Sequence, residues 1–108
     1  MAVRFNPGIL QSGSGGSLVQ GYTDNSGTPG NTTINTPSGR AAIAGSASTC
    51  VVTNSSVVAT SKVYVTLETV ADATLLYIRG LVTAAGSFTV TGNAAATGTC
   101  KFSFIVVN

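Results

Sequence analysis

A catalytic centre needs groups that move protons, attack an electrophile or hold a metal, and few residues of this chain qualify. It has no histidine, its only carboxylates are Asp24, Glu68 and Asp72, and its only thiols are Cys50 and Cys100. Asp24 falls in a Gly/Ser/Asn-rich stretch. Glu68 and Asp72 lie at or beside the predicted turn Val70-Ala71-Asp72-Ala73, where acidic residues commonly act as solvated turn formers. Serine and threonine are abundant, but none has a histidine to activate it or stands in a Ser-x-x-Lys setting. Gly13-Ser14-Gly15-Gly16 follows no strand and precedes no Gly-Lys-Ser/Thr, so it reads as linker and not as a phosphate loop. The inventory predicts a protein that is not an enzyme and that uses no metal and no cofactor.

The two cysteines leave two readings open. Each sits near the start of a predicted strand, a placement that could bring Cys50 and Cys100 together across strands or between sheets. A bridge would close a loop of roughly 50 residues and contribute about 3–4 kcal/mol on the chain-entropy account. The other reading is a pair of buried thiols behaving as small apolar side chains, which a reducing compartment favours.

Charge narrows the partners. Only 7% of residues are charged, and Arg4, Arg40, Lys62, Arg79 and Lys101 form no basic run. Binding nucleic acid requires clustered Lys and Arg to neutralise phosphates, so no nucleic-acid partner is expected. The longest apolar stretches, such as Phe104 to Val107, fall far short of the roughly 20 residues that span a bilayer. The opening Met1-Ala2-Val3-Arg4-Phe5-Asn6-Pro7 lacks the apolar core of a secretion leader, so neither membrane nor export is expected. Exposed edges with so few charges to guard them would invite aggregation of a lone subunit, so much of the surface is expected to be covered by other subunits.

The elements that would position these residues begin late. Residues 1–38 carry Gln11-Ser12-Gly13-Ser14-Gly15-Gly16-Ser17 and Asp24-Asn25-Ser26-Gly27-Thr28-Pro29-Gly30-Asn31, a composition that cannot bury enough apolar surface to fold alone. They predict an extended or flexible N-terminal arm. Its apolar islands, Val3 and Phe5, Ile9 and Leu10, Leu18 and Val19, are candidate contacts that order on a partner surface.

Residues 39–108 have another texture: short runs of Val, Thr, Ile, Phe and Tyr broken by turn residues about every eight to twelve positions. This predicts an all-β domain, an antiparallel β-sandwich of jelly-roll type. Strands are expected over 40–44, 49–53, 62–69, 74–82, 87–91 and 101–107. Alternation puts Val63, Val65 and Leu67 on a core face, with Lys62, Tyr64, Thr66 and Glu68 opposite. Phe88, Val90, Phe102, Phe104 and Val106 are core by the same rule. Ile105 and Val107 make both faces of the last strand apolar, which predicts a neighbour over its outer face.

The segment Ser38-Gly39-Arg40-Ala41-Ala42-Ile43-Ala44-Gly45, the run Ser48 to Val65, then Ala84-Ala85-Gly86-Ser87-Phe88-Thr89-Val90 and Phe104-Ile105-Val106-Val107-Asn108 resemble small tailed-bacteriophage virion proteins. The resemblance covers residues 38 to 108 and is one of texture, so no family site is carried over. It implies a capsid decoration or cement protein on the virion surface, assembled in the host cytoplasm, bound to the major capsid protein and forming a homotrimer. The alternative is a receptor-binding or fibre-tip module of the tail. Its loops, Val70 to Ala73 or Gly92 to Thr99, would bind a cell-surface glycan, although the domain's three phenylalanines are assigned to the core and leave few aromatic platforms.

Overall fold

The computed structural model describes residues 21–108. These form β1 (Tyr22–Asp24), β2 (Thr32–Thr33), β3 (Ser38–Ile43), β4 (Thr49–Thr53), β5 (Lys62–Leu67), β6 (Ile78–Ala84), β7 (Ser87–Gly92) and β8 (Cys100–Val107), with no helix. The strands build two sheets, β1-β3-β8-β5 and β2-β4-β7-β6, that enclose one core between them. The all-β sandwich expected from the turn-punctuated Val/Thr runs is the architecture that forms.

Its centre is made by the alternation already legible in β7 and β8. Phe88, Val90, Phe102, Phe104 and Val106 point inward and are buried, together with Ile43, Cys50 and Val52. Phe88 of the second sheet meets Phe104 of the first edge to face, with ring centroids 4.9 Å apart and planes at 62°. That geometry sets the positive rim of one ring against the negative face of the other, and it ties the sheets at the middle of the sandwich. Val63, Val65 and Leu67 pack against this core yet remain half-buried, because β5 is an edge strand with no neighbour beyond it. On the outer face of β8, Ile105 is half-buried and Val107 is 44% exposed.

The expected boundary after residue 38 does not match the described fold. β1 adds to β3 and β2 to β4, each in parallel register. Ile34, between β2 and β3, is 1% exposed within the core. Parallel neighbours need a crossover, and here each crossover runs through a strand of the opposite sheet. Gly39 permits the close approach of β1: a Cβ there would stand 2.5 Å from the carbonyl oxygen of Thr23. Strands of two and three residues escape a composition-based reading, because they offer too few alternations to register as a period. The arm contacts Val3, Phe5, Ile9, Leu10, Leu18 and Val19 lie outside the described residues.

The other strands fall close to expectation, save one. The strand expected over 74–82 runs over Ile78–Ala84, because the preceding residues are held in a loop by the side chains of Asp72, in their own connection, and Asn93, in the opposite one.

Replacing Phe104 by Ala is expected to lower unfolding free energy by about 3–5 kcal/mol, as for other buried rings. Urea denaturation checks this; a loss below about 1 kcal/mol would show that the ring does not hold the sheets together.

Candidate functional site

Asp72 is buried in bonds despite its place in an exposed connection. Its carboxylate accepts the Leu75 N–H at 2.8 Å, the Thr97 hydroxyl at 2.7 Å, and the N–H groups of Thr97 and Gly98 at 3.0 Å each. Thr74 adds its own N–H at 3.1 Å. The Leu75 N–H contributes most, followed by the Thr97 hydroxyl, and together these donors hold the carboxyl well below the usual carboxylate range. Asp72 forms the expected turn, through the Thr74 and Leu75 N–H groups, but it is not simply solvated: the donors of Thr97 and Gly98 make it a clamp between the 68–77 connection and the 93–99 loop. Asn93 works beside it, accepting the N–H groups of Leu76 at 2.7 Å and Tyr77 at 3.2 Å while donating to the Thr74 carbonyl at 3.1 Å. The two loops named from sequence as candidate binding loops are thus joined into one end of the sandwich.

Beneath the clamp Leu75 is driven into the core, 1% exposed. Gly92 leaves it the room, since a Cβ there would come within 2.6 Å of Leu75 Cδ1. The flanking side chains are thrown outward: Val70 is 92% exposed, Leu76 62% and Tyr77 58%. With Val65, Leu67 and Ile78 they line an open groove of ≈ 480 Å³ along the β5 edge. Single exposed aliphatics are ordinary on a protein surface, but a run of them around one concavity marks a place where another surface can sit.

The remaining ionisable groups are engaged among themselves. Arg40 of β3 donates through Nε and Nη2 to Glu68 Oε1, at 2.8 and 2.6 Å, and through Nη1 to Asp24 Oδ2 at 3.1 Å. The bond to Glu68 is the main cause that raises the Arg40 pKa. Asp24 is lowered, chiefly by the Ser26 hydroxyl and then by the Ser26 N–H. These pairs are half-exposed, so they fix β1 and the end of β5 against β3 more than they stabilise the fold. Among the described residues no group of three or more carboxylates and thiols gathers in metal-binding fashion.

The open question of the cysteines resolves toward buried thiols. Cys50 and Cys100 are both free, in different sheets, and both line the core. The Cys50 thiol donates to the Gly30 carbonyl at 3.3 Å, and burial pushes its pKa up to about 11. Burial also raises Cys100, and the negative Asp72 adds to this. The disulfide weighed from spacing is therefore absent.

All three tyrosines, Tyr22, Tyr64 and Tyr77, are exposed by half or more, whereas Phe88, Phe102 and Phe104 are buried. The buried phenylalanines and the outward Tyr64 are as alternation predicts, while Tyr22 is outward in a strand outside the expected set and Tyr77 in a loop where a strand is expected. No protein-family model, no curated protein and no solved structure matches the chain.

Two outcomes follow from these groups. The depressed Asp72 stabilises the fold above the unfolded carboxyl value of about 3.9, and that contribution fades as pH falls toward its lower folded value. Thermal melts should show Asp72→Ala less stable than wild type at neutral pH, with the gap closing as pH falls below about 4. A gap independent of pH would mean that the carboxylate charge is immaterial. Native protein at neutral pH should also withhold both thiols from a colorimetric disulfide reagent and release both on unfolding. Rapid labelling of native protein would refute their burial.

Proposed function

We propose that this chain is a virion structural protein, a decoration or cement subunit that binds and stabilises a capsid shell and associates with copies of itself. The observation that carries the reading is the groove beside β5. Val70, Leu76 and Tyr77 stand exposed around it although the core closes without them. A surface of this kind gains free energy when another protein covers it, and Tyr is among the residues that dominate such contacts. The engagement of Asp24, Glu68 and Asp72 in internal bonds is in keeping with a protein that binds rather than reacts. The major capsid protein is the proposed partner, with Val3, Phe5 and the other apolar islands of residues 1–20 as further contacts.

A second reading, a receptor-binding module of the tail, draws support from Tyr77. It lies exposed next to the joined loops, and an aromatic face there could stack on a sugar ring.

Co-sedimentation with particles that lack the protein tests both. Wild-type chain should pellet with the particles, and the double variant Leu76→Lys, Tyr77→Lys should lose at least about tenfold in affinity while keeping its circular dichroism. No pelleting by wild type, together with binding to a glycan array that Tyr77→Ala abolishes, would replace the first reading by the second.

A further inference from the structure

The sandwich has four strand edges, and three of them are poor templates for pairing. β1 has three residues, β2 has two, and β6 is broken by a bulge between Ile78 and Gly80 that carries Arg79. Short strands, bulges and charges are the usual means by which an edge is closed to further pairing. β5, Lys62–Leu67, has none of the first two: it is six residues long, regularly paired with β8 and free of proline.

Its backbone is set to accept another strand. Glu68 N–H donates to the carbonyl of Lys101, the residue facing it, so the even-numbered residues exchange bonds with β8. The N–H and C=O groups of Val63, Val65 and Leu67 therefore point away from the sheet. No acceptor among the described residues takes those three N–H groups. The side chains of the same residues face the core side and remain half-buried, and Val65 and Leu67 also line the groove.

We propose that β5 pairs antiparallel with β5 of a second copy of this chain, in the register that sets Val65 opposite Val65. Charge selects the occupant and the register. The outer face of the strand begins with Lys62 and ends at Glu68, and a two-fold axis through Val65 sets Lys62 of each chain across from Glu68 of the other. Glu68 takes both its bonds from Arg40 on Oε1, which leaves Oε2 to face the incoming ammonium. Val63 then stands opposite Leu67 of the second copy, and their half-exposed faces cover one another and part of the groove. A shift by two residues would keep the backbone bonds possible but pair Lys62 with Thr66 and forfeit both ion pairs. The two sheets would join into one continuous sheet of eight strands. Because one strand pairs with itself, the product is a closed pair and not the trimer that the virion resemblance implies.

Analytical ultracentrifugation of the full chain tests this independently of any capsid. Wild type should sediment at twice its 10.7 kDa mass. Val65→Pro should be monomeric with unchanged circular dichroism, since its N–H points outward and an edge tolerates proline there. Lys62→Glu, an exposed change that leaves the fold alone, should weaken the pair about five- to tenfold. Added salt should weaken the wild-type pair and strengthen that of the variant. Amide exchange at Val63, Val65 and Leu67 should slow as protein concentration rises. A monomer at about 100 μM, a trimer, or a Val65→Pro chain still paired would overturn the proposal. Protection of those amides that ignores concentration would overturn it too, by assigning the edge to residues 1–20 of the same chain.

Discussion

One carboxylate fixes the end of the sandwich on which the exposed surface depends. Asp72 draws together backbone and hydroxyl donors from its own connection and from the 93–99 loop, and Asn93 completes the join from the other side. Without this, a ten-residue connection between β5 and β6 would have no reason to fold back over the core. With it, Leu75 enters the core under Gly92 and its neighbours Leu76 and Tyr77 have only the outside left. The groove is therefore a by-product of packing one leucine, and its walls are held by hydrogen bonds and not by apolar contacts alone.

The opposite end is closed by amides. Asn54, fully buried, donates to the Thr36 carbonyl at 2.9 Å, accepts the Ser56 N–H at 2.8 Å and passes its own N–H to Gly86. Asn108 bonds Ser61 and the Ser56 carbonyl, which ties the strand after the last loop to the connection before β5. Every buried side-chain nitrogen and oxygen among the described residues has a partner. A chain with so few charges satisfies its loops with Asn, Ser and Thr, at no cost of burying unpaired ions.

How much of this was legible depended on length of pattern. Strands such as β7 and β8, with three or four inward residues each, announce themselves by alternation, and so do their buried phenylalanines. β1 and β2 are too short to do so, and their Gly/Ser/Asn surroundings argue for an arm. Only the long-range pairing to β3 and β4 makes them strands, and no local signal encodes that. The same limit hid the site. Asp72 reads only as a turn residue because its partners Thr97 and Gly98 lie some 25 positions on, and Leu76 and Tyr77 read as strand because the residues Leu75 to Ile78 are uniformly apolar or aromatic. Parity did foretell the outward Tyr64 and the charged ends of β5, from which the self-pairing register was drawn.

The position of β8 has a consequence for the order in which the chain can acquire its structure. β4, β6 and β7 are complete by Gly92 and can form their sheet from hairpin and neighbouring pairings as soon as that residue has left the ribosome. β3 and β5 cannot be joined in this way: they are not neighbours in their sheet, and both pair with β8, which lies between them. Until Cys100–Val107 emerge, the β1–β3 pair and β5 stand apart beside the other sheet, and Phe88 lacks its partner Phe104. Closure of this sheet thus waits for β8, and contacts as distant as Ser38 with Ile105 make the closing step slow for so small a domain. A nascent chain stalled before β8 would be a substrate for holdase chaperones, with its inner faces open to solvent.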